Sequence, residues 1–191
     1  MMRIITGSAK GKKLSTLEGN DTRPTSERIK GAIFSSIQFE IENRRVLDLF
    51  AGSGQMGLEA LSRGAECATF IDSSREAMAI VKENIERCGF SSVSHTLVSD
   101  YRNYIRKASG REYFDLVFID PPYAAACAMD AAAALARARL VIPGALVCIE
   151  SGEEAIDISD KRLSGYELLK STRYGKMTAV NILIYRGESE E

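Results

Sequence analysis

The chain has 191 residues, 45% hydrophobic and 27% charged, with a formal net charge of −1, which fits one globular domain around a single buried core. No apolar run approaches the roughly 18 residues of a membrane span. The start, Met1-Met2-Arg3-Ile4-Ile5-Thr6-Gly7, lacks the apolar stretch and cleavage site of an export signal, so a cytoplasmic protein with reduced thiols is expected. His95 is the one histidine, and Cys67, Cys88, Cys127 and Cys148 form no Cys-x-x-Cys pair. His-pair chemistry is excluded, and no bound metal is expected. Residues 1–45 hold nine Lys/Arg against five acids, so a basic front sits on an acidic body. That asymmetry suits a polyanionic partner, although a solvated surface would also carry it.

Taken in chain order, residues 3–5 and 12–16 predict a short hairpin turning at 7–11. Thr25 then caps a helix to about residue 38, with Ile29, Ala32, Ile33 and Ile37 on its buried stripe. Residues 46–50 predict a buried strand, followed by a glycine-rich turn and a helix near 56–62. A second strand is expected at 66–71, and a helix at 74–87 capped by Ser73 or Ser74 and closed by Gly89. Residues 93–98 predict a third strand, 101–107 a short helix, and 114–119 the most apolar strand. The alanine-rich run 124–139 predicts a helix ended by Pro143-Gly144, then a strand at 145–150. Residues 166–174 and 177–185 predict an antiparallel hairpin joined at Gly175. The βαβα succession implies an α/β fold: a mostly parallel sheet with helices on both faces, an antiparallel C-terminal hairpin strand and a small N-terminal β-hairpin/helix extension. One domain is expected over 1–191, with a basic extension at 1–44 and a cofactor-binding and catalytic core at 45–186.

Three motifs follow strand ends, where an open parallel sheet binds ligands. The first is Asp48-Leu49-Phe50-Ala51-Gly52-Ser53-Gly54. It lacks the third glycine of a dinucleotide fingerprint and the Gly-Lys-Ser/Thr of a phosphate loop. Asp48 would repel pyrophosphate but suits a ligand with an ammonium group, such as S-adenosylmethionine; a plain tight turn is the alternative. The second is Asp72, about 20 residues beyond that turn, placed to accept ribose hydroxyls or to cap a helix. Asp100 ends the third strand and can accept from an adenine amino group or cap the next helix.

The third motif is Asp120-Pro121-Pro122-Tyr123. Two prolines fix φ twice, supply no N–H and hold the preceding residue extended. The Asp120 carboxylate and the Pro121 carbonyl would converge as two acceptors, which suits an exocyclic amino group with two N–H donors. Tyr123 offers a flat face for a base. A stiff surface loop is the alternative reading.

This box resembles the Asn/Asp-Pro-Pro-Tyr signature of methyltransferases acting on nucleobase amino groups. The chain more specifically resembles the RsmD family through Arg3-Ile4-Ile5-Thr6-Gly7, Thr22-Arg23-Pro24-Thr25, residues 47–54, Gly57-Leu58-Glu59-Ala60-Leu61-Ser62-Arg63-Gly64-Ala65, residues 115–123 and Tyr174-Gly175-Lys176. The resemblance implies a Rossmann-like class I methyltransferase fold and methyl transfer from S-adenosylmethionine to guanine N2 of 16S rRNA, in RNA or in the small ribosomal subunit. No membrane or obligate protein partner is implied. Catalytic Asp120, Pro121 and Tyr123 are expected, with Asp48, Phe50, Gly52, Gly54, Asp72 and Asp100 on the cofactor. Lys10, Lys12, Lys13, Arg23, Thr25, Arg28 and Pro122 are expected on the substrate. Lys10-Gly11-Lys12-Lys13 stands where many members are richer in arginine, Asp72 where many carry Glu, and Gln55-Met56 varies the residues after the glycine turn.

Overall fold

The computed structural model describes residues 2–17, 27–121, 125–152, 156–175 and 178–187. Strands β1 (Arg45–Asp48), β2 (Cys67–Asp72), β3 (Ser94–Val98), β4 (Phe114–Ile119), β5 (Val141–Ser151), β6 (Tyr166–Tyr174) and β7 (Thr178–Tyr185) form one sheet in the order β3-β2-β1-β4-β5-β7-β6. The first five run parallel, and β7 enters antiparallel between β5 and β6. The expected mixed sheet with an antiparallel C-terminal strand is therefore the observed one.

Period-2 side chains explain why the central strands are apolar throughout. Val46, Leu116, Phe118, Leu146 and Cys148 face one layer with α1 (Glu27–Ser36), α2 (Gln55–Ser62) and α3 (Arg75–Cys88). Leu47, Val117, Ile119, Val147 and Ile149 face the other, against α4 (Tyr101–Ala108) and α5 (Ala125–Arg137). In α5 the buried stripe is Ala128, Ala131, Ala132 and Leu135, small residues that let the helix lie close to the sheet. Ser74 caps α3 by accepting from Ala77 N–H at 3.1 Å, and Gly89 closes it in a left-handed conformation, as the sequence predicted.

One expected helix end fails. Pro143-Gly144 does not end α5; it lies inside β5. The helix closes on Arg139, whose φ is 56°, with Leu140 N–H reaching the Leu135 carbonyl and Arg139 N–H the Ala136 carbonyl. Pro143 and Gly144 then form a bulge. While β4 advances from Phe114 to Leu116, β5 advances from Val141 to Leu146.

The N-terminal segment is a hairpin closed by an Arg3–Lys13 bridge and a bond from Ile4 N–H to the Lys12 carbonyl at 3.0 Å. It docks on α2. Glu59, fully buried, accepts from Ile5 N–H (2.7 Å), Thr6 N–H (3.0 Å) and Arg63 Nε (2.9 Å). Ser62 Oγ accepts from Ala9 N–H and donates to the Thr6 carbonyl. Gly7 comes so close that an added Cβ would lie 1.7 Å from the Ser62 carbonyl oxygen. The Ile-Thr-Gly and Leu-Glu-Ala-Leu-Ser stretches are thus two halves of one joint. Lys30 belongs to this joint and not to the basic front: it is fully buried, donates to the Arg3 carbonyl at 2.6 Å and lies 3.6 Å from Glu59.

Candidate active site at the sheet's switch point

Strand β1 lies between β2 and β4, so the chain's crossovers diverge on either side of it and a crevice opens beyond the strand ends. Leu49 N–H still bonds the Phe118 carbonyl at 3.1 Å, which fixes the start of the glycine turn beside the end of β4. Gly52 and Gly54 hold φ of 55° and 78°, a left-handed conformation that favours glycine. Gly54 is the N-cap of α2, and a Cβ at Gly52 would meet open space.

Asp72 spans this turn. Its Oδ2 accepts from Gly52 N–H and its Oδ1 from Ser74 N–H, each at 2.8 Å. It braces the turn and hands helix capping to Ser74, so both oxygens retain acceptor capacity toward the crevice. Asp100 is the N-cap of α4, with Oδ1 accepting from Arg102 N–H (2.9 Å) and Asn103 N–H (3.4 Å). Phe50 is half-buried and packs on Tyr101 with ring centroids 5.3 Å apart, just beyond the end of β1.

Asp48 is the most perturbed of these groups. It is 3% exposed and accepts from Gly57 N–H at 3.0 Å. Burial pushes its carboxyl up from 3.8 to about 8; Gly57 opposes the shift, and the charges of Asp120 and Asp72 add to it. Because the folded protein holds this proton where the unfolded chain has lost it, Asp48 contributes most stability below its unfolded value. That contribution declines as pH rises through about 8.

Asp120 and Pro121 are half-buried at the end of β4, with Asp120 near enough to act on Asp48 through its charge. The structure therefore brings Asp48, Asp72 and Asp120 to the ends of three adjacent strands. Tyr123 and Pro122 lie outside the described residues, as do Arg23, Thr25 and Lys176.

The expected substrate residues Lys10, Lys12, Lys13 and Arg28 are all exposed, the lysines on the hairpin and Arg28 on α1. Lys12 Nζ donates to the Arg87 carbonyl at the C-terminal end of α3, a structural duty the sequence did not suggest. Asn84 was also missed. Fully buried on α3, it donates to the Ser53 and Ser15 carbonyls and accepts from Ser15 N–H, tying hairpin to glycine turn. Its signal was available: one amide on an otherwise apolar helix stripe.

The family model described as conserved hypothetical protein 95 matches residues 2–183. The chain belongs to that family, the RsmD family. Ribosomal RNA small subunit methyltransferase D of Haemophilus influenzae is 32% identical over 154 residues, 80% of each chain. The Escherichia coli protein of that name is 34% identical over 122 residues, 64% of this chain and 60% of its own. The solved structure of the E. coli methyltransferase candidate yhhF superposes with a TM-score of 0.86 at 26% identity, covering 98% of this chain and 99% of that one. The more distant SMU.776, crystallised with S-adenosylhomocysteine, shares the fold alone, with a TM-score of 0.63 and 16% identity over 76% of this chain and 46% of that one. The fold is that of the class I methyltransferases.

Proposed function

We propose that this RsmD-family chain transfers a methyl group from S-adenosylmethionine to the exocyclic N2 of a guanine in the 16S rRNA of the small ribosomal subunit. The observation that carries the reading is the convergence of Asp120, at the end of β4, with Asp48 and the glycine turn at the switch point. Asp72, Asp120 and an Asp48 carboxyl that ionises beside a cation suit a ligand bearing an ammonium and a sulfonium and disfavour a phosphate. Asp48 would face the ammonium across the turn, Asp72 would accept the ribose hydroxyls, and Asp100 would offer its second oxygen to the adenine amino group. Phe50, Gly52 and Gly54 would shape the crevice around them. A protein of the same fold holds S-adenosylhomocysteine, and relatives at 32–34% identity are named for methylation of small-subunit rRNA.

Bound, the cofactor supplies a methyl carbon on a good leaving group, so the protein contributes position and electrostatics. Asp120 and the Pro121 carbonyl accept from the two N2–H donors. They hold the nitrogen in line and favour the charge developing on it. The proton leaves afterwards to Asp120 or to water. The base must leave its stack to arrive, and Tyr123 would receive it, with Pro122 as a further substrate contact. Lys10, Lys12, Lys13, Arg23, Thr25 and Arg28 would meet RNA phosphates.

The test is transfer of labelled methyl from S-adenosylmethionine to undermethylated small-subunit rRNA, followed by nucleoside analysis. Label in N2-methylguanine supports the reading. Label in N6-methyladenine moves the activity to another base, and no label on any nucleic acid leaves a binding module.

Asp48 adds a pH test. A cation beside it favours its carboxylate, so binding below about pH 8 releases a proton. Cofactor affinity is expected to rise by up to about tenfold per pH unit toward pH 8 and then flatten. Calorimetric titration of Asp48→Asn should show a weaker, flatter dependence; a slope equal to that of the wild type would remove Asp48 from the linkage.

A further inference from the structure

A cleft of about 480 Å³ separates the N-terminal hairpin from α1, lined by Arg3, Ile5 and Lys10 on one side and Glu27, Arg28 and Gly31 on the other. Its size falls in the range of small-ligand sites. Three cations face one acid, and that acid is engaged: Arg3 contacts Glu27 through both Nε and a terminal nitrogen at 3.3 Å. Among the described residues, neither Lys10 nor Arg28 has an acidic group within ion-pair distance.

Gly31 supplies an independent observation. Glycine is a poor helix former, and an interior helix glycine normally has a packing reason. Gly7 has one, as the contact with Ser62 shows. Among the described residues Gly31 has none: an added Cβ would meet Ile5 Cδ1 at 3.9 Å, an ordinary contact. The missing side chain therefore leaves the cleft open without serving packing among those residues.

An apolar patch of Ile5 and bare helix backbone under a cationic rim matches a flat ring attached to a phosphate. A bare anion needs no such floor. Guanidinium planes such as those of Arg3 and Arg28 also stack on bases. The hairpin is tied to the active site as well, because Ser53 Oγ of the glycine turn contacts Met2 Sδ at 3.1 Å and Asn84 joins Ser15 to Ser53. We propose that this cleft is a second nucleotide pocket that takes an unpaired base of the RNA substrate near the target guanine, its ring over Ile5 and Gly31 and its phosphate on Lys10 and Arg28. The proposal rests on the reading of the chain as an RNA methyltransferase.

Gly31→Leu tests it. Leucine improves helix propensity and projects into the cleft, so the variant should fold with a Tm at or above that of the wild type. Its KM for undermethylated small-subunit rRNA should rise about tenfold or more, with kcat and cofactor affinity unchanged and Gly31→Ala close to wild type. Binding of a fluorescein-labelled single-stranded RNA of roughly 12 nucleotides should weaken in parallel, and binding of the same sequence as a duplex should not. An unchanged KM, or equal weakening for single strand and duplex, overturns the pocket. Absence of methyl transfer to rRNA by the wild-type protein would overturn the underlying reading instead, and appears before any variant is compared.

Discussion

Asp120→Ala is expected to lower kcat for methyl transfer by about 10²–10³, the usual cost of losing one preorganised group aimed at developing charge. Cofactor affinity should stay close to the wild-type value, because Asp48, Asp72 and the glycine turn keep their backbone bonds to Gly57, Gly52 and Ser74. Asp120→Asn retains one acceptor oxygen and should lose less. A second effect follows from the shared charge. Asp120 helps hold Asp48 in its protonated form, so removing it should move the pH at which cofactor affinity levels off downward from about 8. Single-turnover rates with undermethylated rRNA and a pH series of cofactor titrations measure the two. Unchanged turnover in Asp120→Ala would sink the assignment of this carboxylate to the reaction.

Both effects act on a site whose outline the sequence already carried. β4 was legible because a strand covered on both faces must be apolar at every position, and residues 114–119 nearly are. The glycine turn, Asp72 and Asp120 were legible because each follows such a strand. Pro143-Gly144 misled because turn propensity is local, whereas pairing with β4 on one edge and β7 on the other holds β5 together through a bulge. Asp72 and Ser74 could not be ranked as caps from spacing alone. The structure assigns the cap to Ser74 because the Asp72 carboxylate is drawn to Gly52 N–H. Lys30 misled more instructively: charge counting placed it on the surface, yet its partner Glu59 is 29 positions away and three-dimensional packing alone unites them.

That buried pair is expected to give the largest stability effect in the chain. Glu59→Ala strands the Lys30 ammonium in a fully buried position and removes the acceptor for Ile5 and Thr6 N–H. Breaking such a pair costs about 3–5 kcal/mol, a large share of the roughly 5–15 kcal/mol that holds a domain together. Burial already pushes the Lys30 amine down, and Glu59 counters that push, so without Glu59 the amine should lose its proton more readily. The double variant Lys30→Met/Glu59→Leu should recover part of the loss, because it removes the buried ammonium and carboxylate together, although Arg63 and the two hairpin N–H groups lose their partner. The consequence reaches function through the hairpin, which carries Lys10, Lys12 and Lys13 and touches the glycine turn through Met2. In folded Glu59→Ala protein, KM for rRNA should therefore rise more than the Kd for cofactor. Urea unfolding, limited proteolysis of the first 17 residues and parallel RNA and cofactor titrations test this chain of effects. A Glu59→Ala protein as stable as the wild type, with its hairpin still protected, would show that the joint between the N-terminus and α2 does not depend on this carboxylate.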